Sequence, residues 1–192
     1  FNNKWSMLLS QNSYAIGGSI AQSWIEPLIK FILVALGGVH LIALFDVSTR
    51  IASTIRTFIA SLNTPLITIW SQNYSRNVFK QELITNVILA TTLNIIYVMT
   101  STSIFSFFFG VNEKNIMFTS IIVCTYFFMT IQNLPNISNI VLNKSNINFF
   151  ATLIVLISIS SGYFFVSSAE IYIWTYLIGT ILSTTYLFYM QR

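Results

Sequence analysis

Three charged residues lie within an apolar part of the chain, in the stretch LFDVSTRIASTIRTF at residues 44–58. They are Asp46, Arg50 and Arg56. On a helix that turns by about 100° per residue, they lie on or beside one hydroxyl-rich face, and the opposite face is apolar. Because charges inside a bilayer usually face a protein interior or a water-filled cavity, the pattern predicts a membrane helix with one wet face. A helix lying flat on the membrane surface is the alternative.

The preceding apolar segment carries charges that could pair with these. Glu26 and Lys30 follow one another at helical spacing, on the same side as Ser19 and Gln22. In an antiparallel hairpin, a rise of about 1.5 Å per residue brings Glu26 level with Arg50. The same count brings Lys30 level with Asp46. Two such ion pairs would offset the cost of burying charge and would hold the hairpin together.

Arg56 has no acidic partner at its level of the hairpin. A guanidinium binds carboxylate and phosphate groups with two parallel hydrogen bonds, so Arg56 is a candidate to contact an anionic ligand in a cavity. Snorkelling of the side chain towards the surface, or pairing with another segment, is the alternative.

A second polar stripe occupies the sequence IQNLPNISNIVLN at residues 131–143. Asn133, Asn136 and Asn139 fall on one side of a helix, and their carboxamides offer both donors and acceptors to the hydroxyls of a sugar. A helix end wetted by lipid headgroups would show the same pattern. Pro135 in this stripe and Pro65 in the second segment predict bends, which could act as hinges or be static kinks.

The elements that must position these residues are membrane helices. Of the 192 residues 55% are apolar and 7% are charged, which is far from the composition of a soluble domain. Six segments approach or exceed the roughly 20 residues that span a bilayer, at 15–38, 41–74, 83–109, 116–142, 147–166 and 171–190. The sequence therefore predicts an all-α fold, a single bundle of six transmembrane helices over residues 1–192. The last two spans carry few polar groups and are predicted to face lipid.

The distribution of basic residues predicts the orientation of the bundle. Five of them fall on the side of both termini, and one, Lys114, falls on the other side. Those five are Lys4, Arg76, Lys80, Lys144 and Arg192. The positive-inside tendency then places both termini in the cytoplasm. Trp5 and Trp70 near the inner ends, and Trp174 near an outer end, are expected to anchor the helices at the membrane interfaces.

Several classes of function find no support in the sequence. The cations are scattered rather than clustered, so nucleic acid is not an expected partner. The only histidine, His40, has no metal-ligand cluster around it, and no catalytic constellation occurs, so neither a cofactor nor an enzyme activity is expected. The single Cys124 excludes internal disulfides and is predicted to be a small buried side chain.

Residues 27–76 resemble the start of the second lobe in polysaccharide exporters of the multidrug/oligosaccharidyl-lipid/polysaccharide superfamily, in particular O-antigen flippases. The residues that carry the resemblance are Gly37, Gly38, Phe45, Asp46, Ser48, Arg50, Ile51, Pro65 and Ser71. In that family an aromatic–Asp–x–Ala–x–Arg–Ile run commonly opens the second helix of a lobe, and Ser48 stands where Ala is commoner. The remaining spans match in number and spacing.

The resemblance implies a transporter of the bacterial cytoplasmic membrane, in which two six-helix lobes alternately open a cationic cavity to each side. Its cargo would be an undecaprenyl-pyrophosphate-linked oligosaccharide, flipped from the inner to the outer leaflet among the membrane lipids. Arg50 and Arg56 would bind the pyrophosphate, and the asparagine stripe would contact sugars. This chain would form the C-terminal lobe and would need an upstream lobe. The alternatives are a drug or metabolite exporter of the same superfamily and a membrane O-antigen polymerase, whose usual large outer loop is missing here.

Overall fold

The computed structural model describes the backbone of residues 2–109 and 113–191, and side chains within 11–100 and 115–191. This part of the chain is helical, without strands. Its helices are α1 (Asn2–Ala35), α2 (Val39–Gln72), α3 (Arg76–Phe109), α4 (Glu113–Ile131), α5 (Asn133–Val141), α6 (Ser145–Phe165) and α7 (Ala169–Met190). The predicted all-α fold is therefore confirmed for the described residues.

Four helical stretches are long and apolar enough to cross a membrane. They are Arg76–Thr100, Asn115–Val141, Ser145–Phe165 and Ala169–Met190. The helices α1 and α2 contain 34 residues each, but within the described residues neither meets the same test of length and composition. Their charged and hydroxyl side chains lower their mean hydropathy. Four of the six segments that the sequence predicts are therefore candidate membrane spans in the structure.

The helices α4 and α5 form a single bent path that counts as one candidate span. The break falls at Gln132. Pro135 follows three residues later and has no N–H to donate to the carbonyl of Ile131, so the regular ladder is interrupted at this point. Pro135 is buried. The other predicted bend, at Pro65, lies within a helix that continues without interruption to Gln72, and its ring is exposed.

Two helix ends carry the geometry of a Schellman cap, with a residue of positive φ after the last turn. Gly37 has a φ of 76°, and the N–H of Gly38 donates to the carbonyl of Leu33 at 2.8 Å. Asn143 has a φ of 56°, and the N–H of Lys144 donates to the carbonyl of Asn139 at 2.7 Å. The first cap turns the chain from α1 into α2, and the second ends the asparagine-rich helix.

The most extensive helix contacts join α1 to α6, α6 to α7, α7 to α4, and α4 to both α2 and α3. The helices α1 and α2 contact each other less extensively, although they are consecutive. An ion pair links them near their shared turn, between Lys30 Nζ and Asp46 Oδ1 at 2.6 Å. Away from this turn, the space between α1 and α2 is available for a cavity.

The prediction that the last two spans face lipid is wrong for α7. Its buried side chains include Tyr172, Tyr176, Thr180 and Ser183, and it contacts both α4 and α6. Small residues allow this close approach, because a Cβ added at Gly179 would lie 2.7 Å from Ser158 Cβ. A sequence of apolar and small residues suits lipid contact and tight helix packing equally well, so composition could not distinguish them.

Two further expectations fail on burial. Trp70 is 2% exposed and packs against Phe79, with ring centroids 5.8 Å apart, so it joins the core rather than the lipid interface. Cys124 is exposed rather than buried. Trp174 is 41% exposed, and its place at a membrane interface stays a prediction, whereas Trp5 lies outside the described side chains.

Candidate functional site

A polar cavity of about 500 Å³ lies between α1, α2, the bent α4–α5 path and α6, with one residue from α7. Its polar lining consists of Tyr14, Ser19, Gln22, Ser23, Arg56, Gln132, Asn136, Ser145, Asn148, Thr152 and Ser183. Apolar atoms supply the larger part of its wall. It occupies the space left where α1 and α2 diverge from their common turn.

Arg56 is the only charged residue in the lining of this cavity, as far as the described part of the chain shows. Its side chain is half-buried and, among the described residues, forms no ion pair or hydrogen bond. It interacts electrostatically with the nearby Tyr126 and Tyr176. A guanidinium in this setting keeps all five of its N–H donors for a ligand or water.

Glu26 does not pair with Arg50, contrary to the sequence prediction. Its Oε1 accepts a hydrogen bond of 2.7 Å from the hydroxyl of Tyr126, which projects from α4. The prediction considered only the α1–α2 hairpin, and it therefore missed a donor supplied by a helix 100 residues further along the chain. The other predicted pair, Lys30 with Asp46, is the ion pair described above.

Arg50 is exposed and does not line the polar cavity. Near it, the hydroxyls of Ser53 and Thr54 both donate to its own backbone carbonyl, at 2.9 and 2.8 Å. Further along the helix, Ser61, Thr64 and Ser71 likewise donate to carbonyls three or four residues before them. These hydroxyl groups of α2 thus find their hydrogen-bond acceptors within the same helix. Of the two arginines of α2, only Arg56 lines the cavity.

The asparagine stripe is divided by the fold. Asn136 lines the polar cavity. Asn139 is buried, donates to Asn148 Oδ1 at 2.7 Å and accepts from Gln191 Nε2 at 2.9 Å, so it joins helices together. Asn133 has a buried Nδ2 without a hydrogen-bond partner and does not line the cavity. Of the three predicted sugar contacts, one is placed in the cavity.

Several lining residues escaped the sequence analysis, chiefly those of α6. Asn148 Nδ2 donates to the backbone carbonyl of Asn136 at 3.0 Å, which holds two cavity carboxamides beside each other. The ring of Phe149 packs against Tyr14, with centroids 5.7 Å apart. A carboxamide within an otherwise apolar span was the available signal for Asn148. No feature of the sequence indicated that Phe149 lines the cavity, because an aromatic residue in a membrane helix most often packs in the core.

Gln132 shows how the bend in the α4–α5 path is built into the site. Its Nε2 donates to Thr184 Oγ1 at 2.7 Å and to the carbonyl of Thr180 at 3.1 Å. These bonds attach the broken turn of the helix to α7. The cavity wall is consequently held at the bend by polar contacts as well as by apolar packing.

Comparisons of the chain with protein-family models, with curated proteins and with solved structures find no match. The described residues also contain no group of three or more metal-ligating side chains. The cavity combines one cation with several carboxamides and hydroxyls and with two aromatic rings.

Proposed function

We propose that this chain is one lobe of a membrane transporter that flips a lipid-linked oligosaccharide from the cytoplasmic to the outer leaflet by alternating access. The observation that carries the proposal is the half-buried Arg56, which has no ion-pair or hydrogen-bond partner among the described residues and lines a cavity whose other polar groups are uncharged. In this assignment the cargo is an undecaprenyl-pyrophosphate glycan, an O-antigen or capsule repeat unit, and the membrane is the bacterial cytoplasmic membrane.

The lining suits the two chemically different parts of such a cargo. The guanidinium of Arg56 offers charge-assisted hydrogen bonds to a phosphate group. Gln22, Asn136 and Asn148 offer donors and acceptors to hydroxyls. An aromatic side such as that of Tyr14 can pack against the apolar face of a sugar ring. The cavity volume of about 500 Å³ falls within the roughly 300–1,000 Å³ common for small-ligand sites, enough for a part of the cargo.

The exposed surface of α2 supports the arrangement as a lobe. Arg50, Thr54, Phe58, Ser61 and Leu62 are exposed together on this helix. Arginine is costly in contact with lipid, which favours a second lobe or a water-filled opening in front of α2. In the proposed transporter, the missing N-terminal lobe lies there, and Arg50 contributes to the cationic character of the shared opening.

A polar, singly cationic lining favours a hydrophilic anionic cargo over an apolar drug. The pairing of Glu26 with Tyr126 and of Lys30 with Asp46 leaves no two acidic groups facing each other for acid–base catalysis in the described part of the chain. We therefore favour a flippase over a drug exporter or a polymerase as the function of this cavity.

The test is glycan export in a host that depends on this protein. Arg56→Ala should reduce surface glycan at least tenfold, and Arg56→Lys should retain an intermediate amount because it keeps the charge but loses the bidentate geometry. Surface glycan would be measured by lectin binding, and the amount of protein in the membrane by immunoblot. Arg50→Ala is the matched control on the same helix, and its loss should be smaller because Arg50 lies outside the cavity.

Normal export by Arg56→Ala at normal protein abundance would overturn the assignment of Arg56. Binding of purified protein to undecaprenyl pyrophosphate, compared with undecaprenol, tests the ligand separately from the transport. Equal affinity for the two lipids would contradict recognition of the pyrophosphate.

A further inference from the structure

A second cavity, of about 420 Å³, lies at one end of the bundle and is lined by basic residues. Its lining includes three cations from two parts of the chain, Arg76 and Lys80 on α3 and Lys144 before α6. It does not share its cations with the polar cavity, whose charged residue is Arg56. The proposed transport function does not use this basic cavity.

The basic cavity lies beside one end of each of the four candidate spans. One span begins at Arg76 and another begins at Ser145, directly after Lys144. The two remaining spans end at Val141 and Met190. All four ends adjoin this cavity in the chain, so in a bilayer crossed by these spans its cations would stand at the level of the lipid headgroups.

Among the described residues, the three cations have no anionic partner. Each is exposed, and among the described residues none of them forms an ion pair or a side-chain hydrogen bond. No aspartate or glutamate lines the cavity. The described lining of the site thus carries three positive charges and no negative one.

The wall behind these cations is held by ring packing and hydrogen bonds and is partly apolar. Tyr74 packs edge-on against Trp70, with centroids 5.6 Å apart, and its hydroxyl accepts a hydrogen bond from Ser138 Oγ at 3.1 Å. Gln191 donates to Asn139 on the opposite side. Leu83 and Phe188 add apolar surface to the same cavity. A headgroup phosphate would find cations here, and the first methylene groups of its acyl chains would find apolar contacts.

We propose that this basic cavity binds the phosphate headgroup of an anionic phospholipid at the membrane surface. Basic pockets between membrane helices are suited to anionic headgroups, and each lysine or arginine contributes through its charge near the surface. The position at the span ends and the apolar wall favour a lipid over free phosphate. Bound lipid would tie the ends of α2, α3 and α6 together.

The experiment measures lipid binding to the purified full chain in a neutral detergent by native mass spectrometry. The probes are dihexanoyl phosphatidylglycerol, dihexanoyl phosphatidylcholine and sodium phosphate. We expect phosphatidylglycerol to bind at least tenfold more tightly than phosphatidylcholine. Lys80→Gln and Lys144→Gln should each weaken the binding of phosphatidylglycerol by about fivefold, and the double variant should weaken it by more than tenfold.

Lys114→Gln is the matched control. It also removes one positive charge, from the first turn of α4 at the opposite end of the bundle. The affinity for phosphatidylglycerol should therefore stay unchanged. Equal affinity for the two lipids would overturn the proposal, as would an unchanged lipid preference in the double variant. Binding of sodium phosphate as tight as that of phosphatidylglycerol would show a free-anion site instead. The two single variants keep the test decisive if the double variant does not fold.

Discussion

Gly179 allows α7 to lie directly against α6, and replacing it by alanine tests the packing that holds the back of the polar cavity. The added Cβ would lie 2.7 Å from Ser158 Cβ, 3.0 Å from Ser158 Oγ and 3.3 Å from the backbone Cα of Val155. Because Ser158 Cβ is fixed close to the backbone, rotation of its side chain cannot relieve the shortest contact. The helices must separate by several tenths of an ångström, and overpacking of this kind costs about 1–3 kcal/mol.

The assay is thermal unfolding of the purified protein in detergent, followed by intrinsic fluorescence. Gly179→Ala should lower the midpoint temperature of thermal unfolding by several degrees. Gly18→Ala is the matched control, since its new Cβ would meet only the Cα of Phe149, at an ordinary distance of 3.8 Å. Ser158→Gly in the Gly179→Ala background removes the clashing atom and should restore part of the loss. A Gly179→Ala protein as stable as Gly18→Ala, or an absence of rescue, would refute the close approach of α6 and α7.

Two predictions concern the charges of α1, besides those given above for Arg56 and for the basic cavity. Tyr126→Phe should lower the free energy of unfolding by roughly 1–3 kcal/mol in a chemical unfolding titration, because Glu26 loses its hydrogen-bond donor. Combining Tyr126→Phe with Glu26→Gln should cost less than the sum of the two single changes. Strict additivity would contradict the hydrogen bond. Lys30→Asp should reduce the amount of folded protein, measured by size-exclusion chromatography, because it places two carboxylates together. Lys30→Asp combined with Asp46→Lys should recover much of that amount. Failure of the reversed pair to do so would argue against a specific contact.

The helical character of the chain, and the presence of apolar helices long enough to span a membrane, follow from local properties of the sequence. Apolar runs of about 20 residues, broken by GGVH or NKSN, predict helices and turns without knowledge of their neighbours. The double glycine at 37 and 38 marked the first turn correctly, because a left-handed residue after a helix is most easily a glycine. The wet face of α2 is likewise a local property, since it depends only on the helical repeat.

The partners of the polar groups were decided by the tertiary structure. Arg50 and Arg56 are six residues apart on one helix, and only the placement of α4, α5 and α6 puts Arg56 in a cavity and leaves Arg50 outside. Glu26 contacts Tyr126, and Asn139 contacts Gln191, across long separations in sequence. Helical periodicity states which direction a side chain faces, but the group that it meets depends on how distant helices pack. For that reason the sequence determined that polar residues share a face, and the fold determined which of them are free to bind a ligand.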